Sequence, residues 1–132
     1  MKVALCLSGR FNNVHDGSSG LQGAMWLKEN IIEKYNADVF LHTWDTDKEV
    51  LIDSLYNPIY ATYQKQVDFK EVMIENNISQ EYFHEGFDRA STMYAQCKIE
   101  TILSMLYSRK SALRLARMHE DKKGFKYDWV IL

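Results

Sequence analysis

Short unbroken apolar runs alternate along this chain with stretches of helical periodicity. Lys2 to Leu7 is the first such run, ended by Ser8-Gly9, and suits a strand buried on both faces of a parallel sheet. A polar, glycine-rich stretch from Arg10 to Gly20 reads as a loop. Leu21 to Tyr35 reads as a helix, with Leu21, Ala24, Met25, Leu27, Ile31 and Ile32 on one side and Glu29, Glu33 and Lys34 on the other. Asn36 breaks it, and Ala37 to Trp44 forms a second apolar run, so the opening segment has the order of a βαβ unit.

Asp45 to Tyr56 predicts a short helix, capped by Asp45 or Thr46 and stopped by Asn57-Pro58. Ile59 to Gln64 is strand-like, and Phe69 to Asn76 predicts another short helix. Residues 77–88 read as an irregular connection. The longest periodic segment runs from about Ala90 to Lys122. It carries an apolar stripe (Ile99, Ile102, Leu103, Leu106, Leu113) and a second stripe of small or polar residues (Gln96, Glu100, Ser104, Ser108, Ser111). A straight helix of that length exceeds the width of a small domain at about 1.5 Å per residue, so it is expected to break or project. Gly124 ends it, and Tyr127 to Leu132 predicts a last buried strand. The alternation predicts an α/β fold, a three-layer Rossmann-like sandwich around a mainly parallel sheet, with residues 1–132 forming a single domain.

Composition sharpens this picture in two places. The net charge of −2 argues against a dedicated nucleic-acid or membrane-surface binder. The charge is uneven, because residues 1–84 carry 7 basic and 12 acidic side chains and residues 85–132 carry 9 and 6, leaving −5 and +3. The basic half lies on the long helix and its tail, as a solvated face or a phosphate-collecting one. Cys6 and Cys97 show no disulfide or metal-knuckle spacing and read as buried free thiols of a cytoplasmic protein. The opening apolar run is too short for a signal peptide, and no segment is long enough to span a membrane.

Ligands of open parallel sheets bind beyond the carboxyl ends of the strands. Three predicted strand ends are therefore the candidate chemistry. Ser8, Gly9 and Arg10 follow the first, where glycine permits close backbone approach and Arg10 offers a planar fork for phosphate or a base carbonyl. The spacing is neither GxGxxG nor a P-loop, and a simple flexible turn is the competing reading. His42-Thr43-Trp44-Asp45-Thr46-Asp47 follows the second, and its acid pair suits either a divalent cation or helix capping. The third end is Leu132. His15, His84 and His119 lie in separate elements without metal-ligand spacing, and no GxSxG elbow is present.

The stretches KVALCLSG (Lys2–Gly9), KENIIEKYNADVFLHTW (Lys28–Trp44), ILSMLYSRKSA (Ile102–Ala112) and GFKYDWVI (Gly124–Ile131) resemble a family of glycosyltransferases of large algal viruses, phages and bacteria. Their order and spacing extend the resemblance over nearly the whole chain. It implies a GT-A-type fold and a transferase using a UDP- or GDP-sugar, with Mn²⁺ or Mg²⁺, to glycosylate a carbohydrate or glycan acceptor. It further implies that Ser8, Gly9 and Arg10 contact the nucleoside, beside Thr43, Trp44 and Asp45. Tyr107, Ser108 and Lys110 would face the donor, with Lys110 or Arg109 against the diphosphate. In such enzymes the final YDxVI strand leads into an acidic metal-binding element. The sequence here is expected to be truncated before that element, and so to bind nucleotide without transfer. The chain places Arg10 directly after Gly9, where the family more often has one or two residues between.

The competing expectation is a non-catalytic α/β module that self-associates, as a homodimer, through an exposed sheet edge or apolar surface. A nucleotidyltransferase is a third reading, disfavoured by the missing glycine-rich phosphate loop.

Overall fold

A computed structural model describes residues 1–11, 20–78 and 99–132 of the chain. The elements are β1 (Val3–Gly9), α1 (Leu21–Leu27), a π-helical segment (Lys28–Ile32), α2 (Glu33–Tyr35) and β2 (Asp38–Thr43). A 3₁₀ turn (Thr46–Lys48), α3 (Glu49–Tyr56), β3 (Tyr60–Tyr63), α4 (Phe69–Glu75), α5 (Ile99–Lys123) and β4 (Trp129–Ile131) follow. Three ends fall where an asparagine adopts a left-handed conformation, at Asn36, Asn57 and Asn77. Asparagine tolerates that region because its short polar side chain bonds locally.

The four strands form one sheet in the order β3-β2-β1-β4, and every pairing is parallel. Alternation along the strands sorts the side chains onto two faces. Val39 and Leu41 pack with Ala24 of α1 and with Ile52 and Tyr56 of α3, and Leu7 joins this face. Val3 and Leu5 extend it against Ala37 and Ile31. On the opposite face, Ala4, Cys6 and Phe40 pack against Ala112 and Ala116 of α5. The layers are therefore helix, sheet, helix. Phe40 is 0% exposed, and burial of such a side chain contributes about 1.5–3 kcal/mol.

The change of face follows from chain handedness. β1 to β2 to β3 steps outward in one direction, with its helices on one face. The return to β4, beside β1, reverses the direction, and a right-handed crossover then lays its helix on the other face. This is a four-stranded all-parallel α/β arrangement, consistent with a Rossmann-like fold.

The chain divides into two compact units, one of Met1–Lys65 with Ser108–Leu132 and one of Gln66–Tyr107. In the second, Asp68 caps α4 by accepting the Lys70 N–H at 3.0 Å, Gln66 donates to Ser104 Oγ at 2.9 Å, and Phe69 meets Tyr107 edge-on. α5 is continuous from Ile99 to Lys123, so no break falls within its described length. The expected helix over residues 90–98, and Cys97, lie outside the described residues.

The sequence leaves open which stripe of α5 faces the sheet, and two further expectations need correction. The face of α5 turned to the sheet is the stripe Ser108, Ala112, Ala116, His119 and Glu120, all buried, whereas Leu106 is 52% exposed. Small side chains let the helix backbone approach Ala4 and Cys6, so here the small stripe is the inner one. β4 is exposed at Trp129 (65%), Val130 (39%) and Ile131 (36%), because it is the sheet's edge and the cores on either face centre on β1 and β2. Asp45 occupies the cap position before the 3₁₀ turn but makes no side-chain cap bond, because its carboxylate is engaged elsewhere.

Candidate functional site

The carboxyl ends of β1 and β2 lie side by side, with Ser8 opposite His42 and Gly9 opposite Thr43 in the parallel register. β1 stops at Gly9, whose φ of 102° is a conformation that only glycine adopts readily. Beyond it the Gly9 carbonyl still accepts the Trp44 N–H at 3.3 Å. The chain then turns, and Phe11 comes against the start of α1 so closely that a Cβ on Gly20 would collide with the Phe11 carbonyl.

Asp45 holds this turn. Its Oδ2 accepts the Phe11 N–H at 2.6 Å, and its Oδ1 accepts from Arg10 Nη1 at 3.2 Å. Its own N–H donates to Thr43 Oγ1 at 3.1 Å, which fixes the carboxylate at the end of β2. The Arg10 side chain is 40% exposed, against 11% for Asp45. The pair thus anchors one corner of the guanidinium fork, which carries five donors in all.

Beneath the tips lies a buried polar relay. Ser108 Oγ accepts the Gly9 N–H at 2.8 Å and lies 2.7 Å from His42 Nδ1. His42 Nε2 lies 3.1 Å from Gln64 Oε1, and the Ser108 hydroxyl donates to the His42 carbonyl at 3.3 Å. A serine bonded to a histidine resembles a nucleophile with its base. Both residues are 0% exposed, and the Ser108 oxygen is already bonded to the Gly9 amide. The pair is a structural latch joining β1, β2, the residue after β3, and α5. Trp44, 6% exposed, stands edge-on to His42 at 4.7 Å between ring centroids.

A pocket of about 110 Å³ opens beside the tips on the face covered by α1 and α3. It is lined by Leu7, Leu41 and Ile52, by the rings of Phe11 and Tyr56, and by Ser8 to Arg10 with Thr43. The two rings meet edge to face at 6.5 Å. Burial raises the Tyr56 phenol above its ordinary pKa.

Of the residues expected at the site, Ser8, Gly9, Arg10, Thr43, Trp44, Asp45 and Ser108 come together at these strand ends. Lys110 is exposed and sits roughly 200° around α5 from Ser108, at about 100° per residue. Tyr107 belongs to the unit of Gln66–Tyr107. The pairing of His42 with Ser108 and the pocket residues Phe11, Ile52 and Tyr56 do not follow from strand-end position in the sequence. A helix residue of the small stripe falling opposite a strand histidine was the available signal.

Among the described residues, the strand tips offer no ligand set for a divalent cation. Both Asp45 oxygens are engaged by Arg10 and Phe11, and no group of three His, Cys, Asp or Glu side chains among the described residues is arranged to hold a metal. Among the described residues, no helix is long and apolar enough to cross a membrane. No family model, no curated protein and no solved structure matches this chain.

Proposed function

We propose that this chain is the nucleotide-binding part of a glycosyltransferase-like domain that takes a UDP- or GDP-sugar as donor for a carbohydrate or glycan acceptor. The observation that carries the reading is the pairing of the β1 and β2 tips at the carboxyl edge of a parallel sheet, beside an aromatic-walled pocket. That edge is where open α/β sheets bind nucleotides. In this reading the pocket receives the base, and the Ser8 to Arg10 turn lies along the ribose and phosphates. The exposed part of the Arg10 guanidinium offers charge-assisted hydrogen bonds to a phosphate oxygen. Asp45 keeps that arginine and the Phe11 amide in place, so the turn does not have to be ordered on binding.

A divalent cation belongs to the reading of the whole enzyme, and the described residues supply no ligand set for it. The chain is accordingly expected to bind nucleotide without turning it over. Calorimetric titration with UDP, GDP and their sugars, with and without Mn²⁺, tests this alongside an assay for released diphosphate. Binding of UDP or GDP without turnover is the expected result. No heat with either nucleotide up to about 1 mM, a concentration that detects even weak affinity, would remove the reading.

A second reading draws on a separate observation. The edge strand β4 exposes Trp129, Val130 and Ile131, and an exposed apolar edge is a template for pairing with another strand. Here the chain is a non-catalytic module that forms a homodimer edge to edge. A nucleotide-blind dimer in light scattering favours this reading, and a nucleotide-binding monomer favours the first.

A further inference from the structure

The outward side of α5 carries a row of cations that no acid in the described part of the chain balances. Ala112 packs on the sheet and is 0% exposed. At about 100° per residue, Lys110, Arg114 and Arg117 each lie within about 40° of the direction opposite to it, and all three are exposed. Lys110 and Arg114 take part in no ion pair among the described residues, and Arg117 reaches the buried Glu120 at 3.8 Å. Asp121, further along the same row, is paired with Lys126 at 3.6 Å. Like charges three and four residues apart on a helix repel, so within one copy the row weakens α5. The helix dipole accounts for Lys122 and Lys123 in the last turn, but these three lie further back, where its effect has faded.

The α3 side of the sheet has the opposite sign. Asp47, Glu49 and Asp53 are exposed there around Val50, itself 85% exposed. Asp47 meets its neighbour Lys48 at 3.5 Å, and Asp53 accepts the hydroxyl of Tyr63, an uncharged donor. Glu49 and Asp53 stand four residues apart, as do Lys110 and Arg114, so both pairs rise about 6 Å along their helices. Each cluster also holds an exposed apolar side chain, Val50 on α3 and Met118 on α5. α3 packs on the Val39 and Leu41 face of the sheet and α5 on the Cys6 and Phe40 face. The two surfaces thus lie on opposite sides, and no single copy brings them together.

We propose that α5 of one copy docks on α3 of a second, with Lys110, Arg114 and Arg117 against Asp47, Glu49 and Asp53. The contact joins unlike surfaces, so it leaves one cationic and one acidic face open and adds copies into chains or rings. It involves neither the β4 edge nor the strand tips, and it stands whether or not the chain binds nucleotide. Exposed ion pairs are individually weak and are screened by salt, the Debye length falling from about 30 Å at 0.01 M to about 3 Å at 1 M.

Sedimentation velocity and light scattering on the full chain, over a concentration series at those two salt levels, test this. Trp129→Lys serves as the background, so that edge pairing does not contribute. At low salt the average mass is expected to climb past that of a dimer as concentration rises, and at high salt to fall to the monomer. Lys110→Gln with Arg114→Gln is expected to weaken association at least about tenfold, and Glu49→Gln with Asp53→Asn equally. Mixed one to one, the two variants retain one intact pair of surfaces between them and are expected to stop at a dimer. Circular dichroism confirms that each variant folds, and the salt series on the background chain decides the matter without them. A monomer at low salt up to about 1 mM would overturn the proposal, as would association that survives high salt or either pair of substitutions. A monomer that instead binds heparin through Lys110 and Arg114 would also overturn it and give the row to a polyanion.

Discussion

Ser108 shows how one side chain can set the geometry of a site without facing it. Its oxygen lies 2.8 Å from the Gly9 amide nitrogen and 2.7 Å from His42 Nδ1, in a place closed to water. Replacing it with alanine removes a partner from the amide that fixes the tip of β1. A buried polar group left unmet costs about 1–3 kcal/mol. Ser108→Ala is therefore expected to lower stability by that amount, read as a lower urea midpoint at unchanged slope. A second residue-scale prediction concerns Cys6, which is 2% exposed and whose thiol burial pushes up to about 11. The thiolate is the reactive form, so a disulfide reagent at about pH 8 should leave Cys6 untouched in the folded protein and label it once urea unfolds the chain. Rapid native labelling, assigned to Cys6 by peptide mapping, would show that the β1–α5 layer opens readily. At this scale the sequence was legible where a residue stands at a strand end. Ser8, Gly9, Arg10, Thr43, Trp44 and Asp45 follow apolar runs, and strand ends gather in a parallel sheet. It was not legible where chemistry depends on a meeting across 66 positions, as between His42 and Ser108.

At the scale of elements, strands were the easier inference, because β1 and β2 are buried on both faces and so read as continuous apolar runs. α5 was the harder one. Its leucines draw the eye, yet the inner face uses Ser108, Ala112 and Ala116 against Ala4 and Cys6. Periodicity locates a helix, but it does not say which of two stripes lies inside when close approach favours small residues. The end of α5 carries the third prediction. Glu120, 4% exposed, accepts the Tyr127 N–H at 2.8 Å and Lys126 Nζ at 3.1 Å. It thereby ties the helix to the segment leading into β4. The Tyr127 amide bond above all, then Lys126 and Arg117, hold the Glu120 carboxyl below its ordinary range against the opposing effect of burial. A depressed folded pKa means that the stabilisation is present above the ordinary glutamate value, about 4.3, and is lost as pH falls through the folded value. Urea unfolding between about pH 7 and about pH 3 should show this loss in the wild type. Glu120→Gln should be less stable at neutral pH and flatter across the acid limb. An unchanged acid limb in the variant would mean that other carboxylates carry the acid sensitivity.

For the molecule as a whole, the sheet has two unlike sides. β2 and β1 lie at its centre, enclosed by helices on both faces, and their tips carry the candidate site. β4 stands at one edge with Trp129, Val130 and Ile131 facing water. Register gives the exposed groups a direction, since Trp129 pairs with Val3 and Ile131 with Leu5, so both share the α1 face of the sheet while Val130 takes the other. An apolar row on an edge with open backbone groups favours strand addition, and a charge placed there opposes it. Trp129 is 65% exposed, so a lysine at that position removes little packing and should shift stability by less than about 0.5 kcal/mol. If the edge drives self-association, light scattering over a concentration series should show a wild-type dimer that Trp129→Lys converts to monomer. The proposed nucleotide site lies at the strand tips rather than at this edge, so any nucleotide affinity should be the same in both forms. A wild type that stays monomeric throughout would remove the edge-to-edge dimer. A variant that loses nucleotide affinity while remaining folded would mean that β4, beside β1, belongs to the binding site.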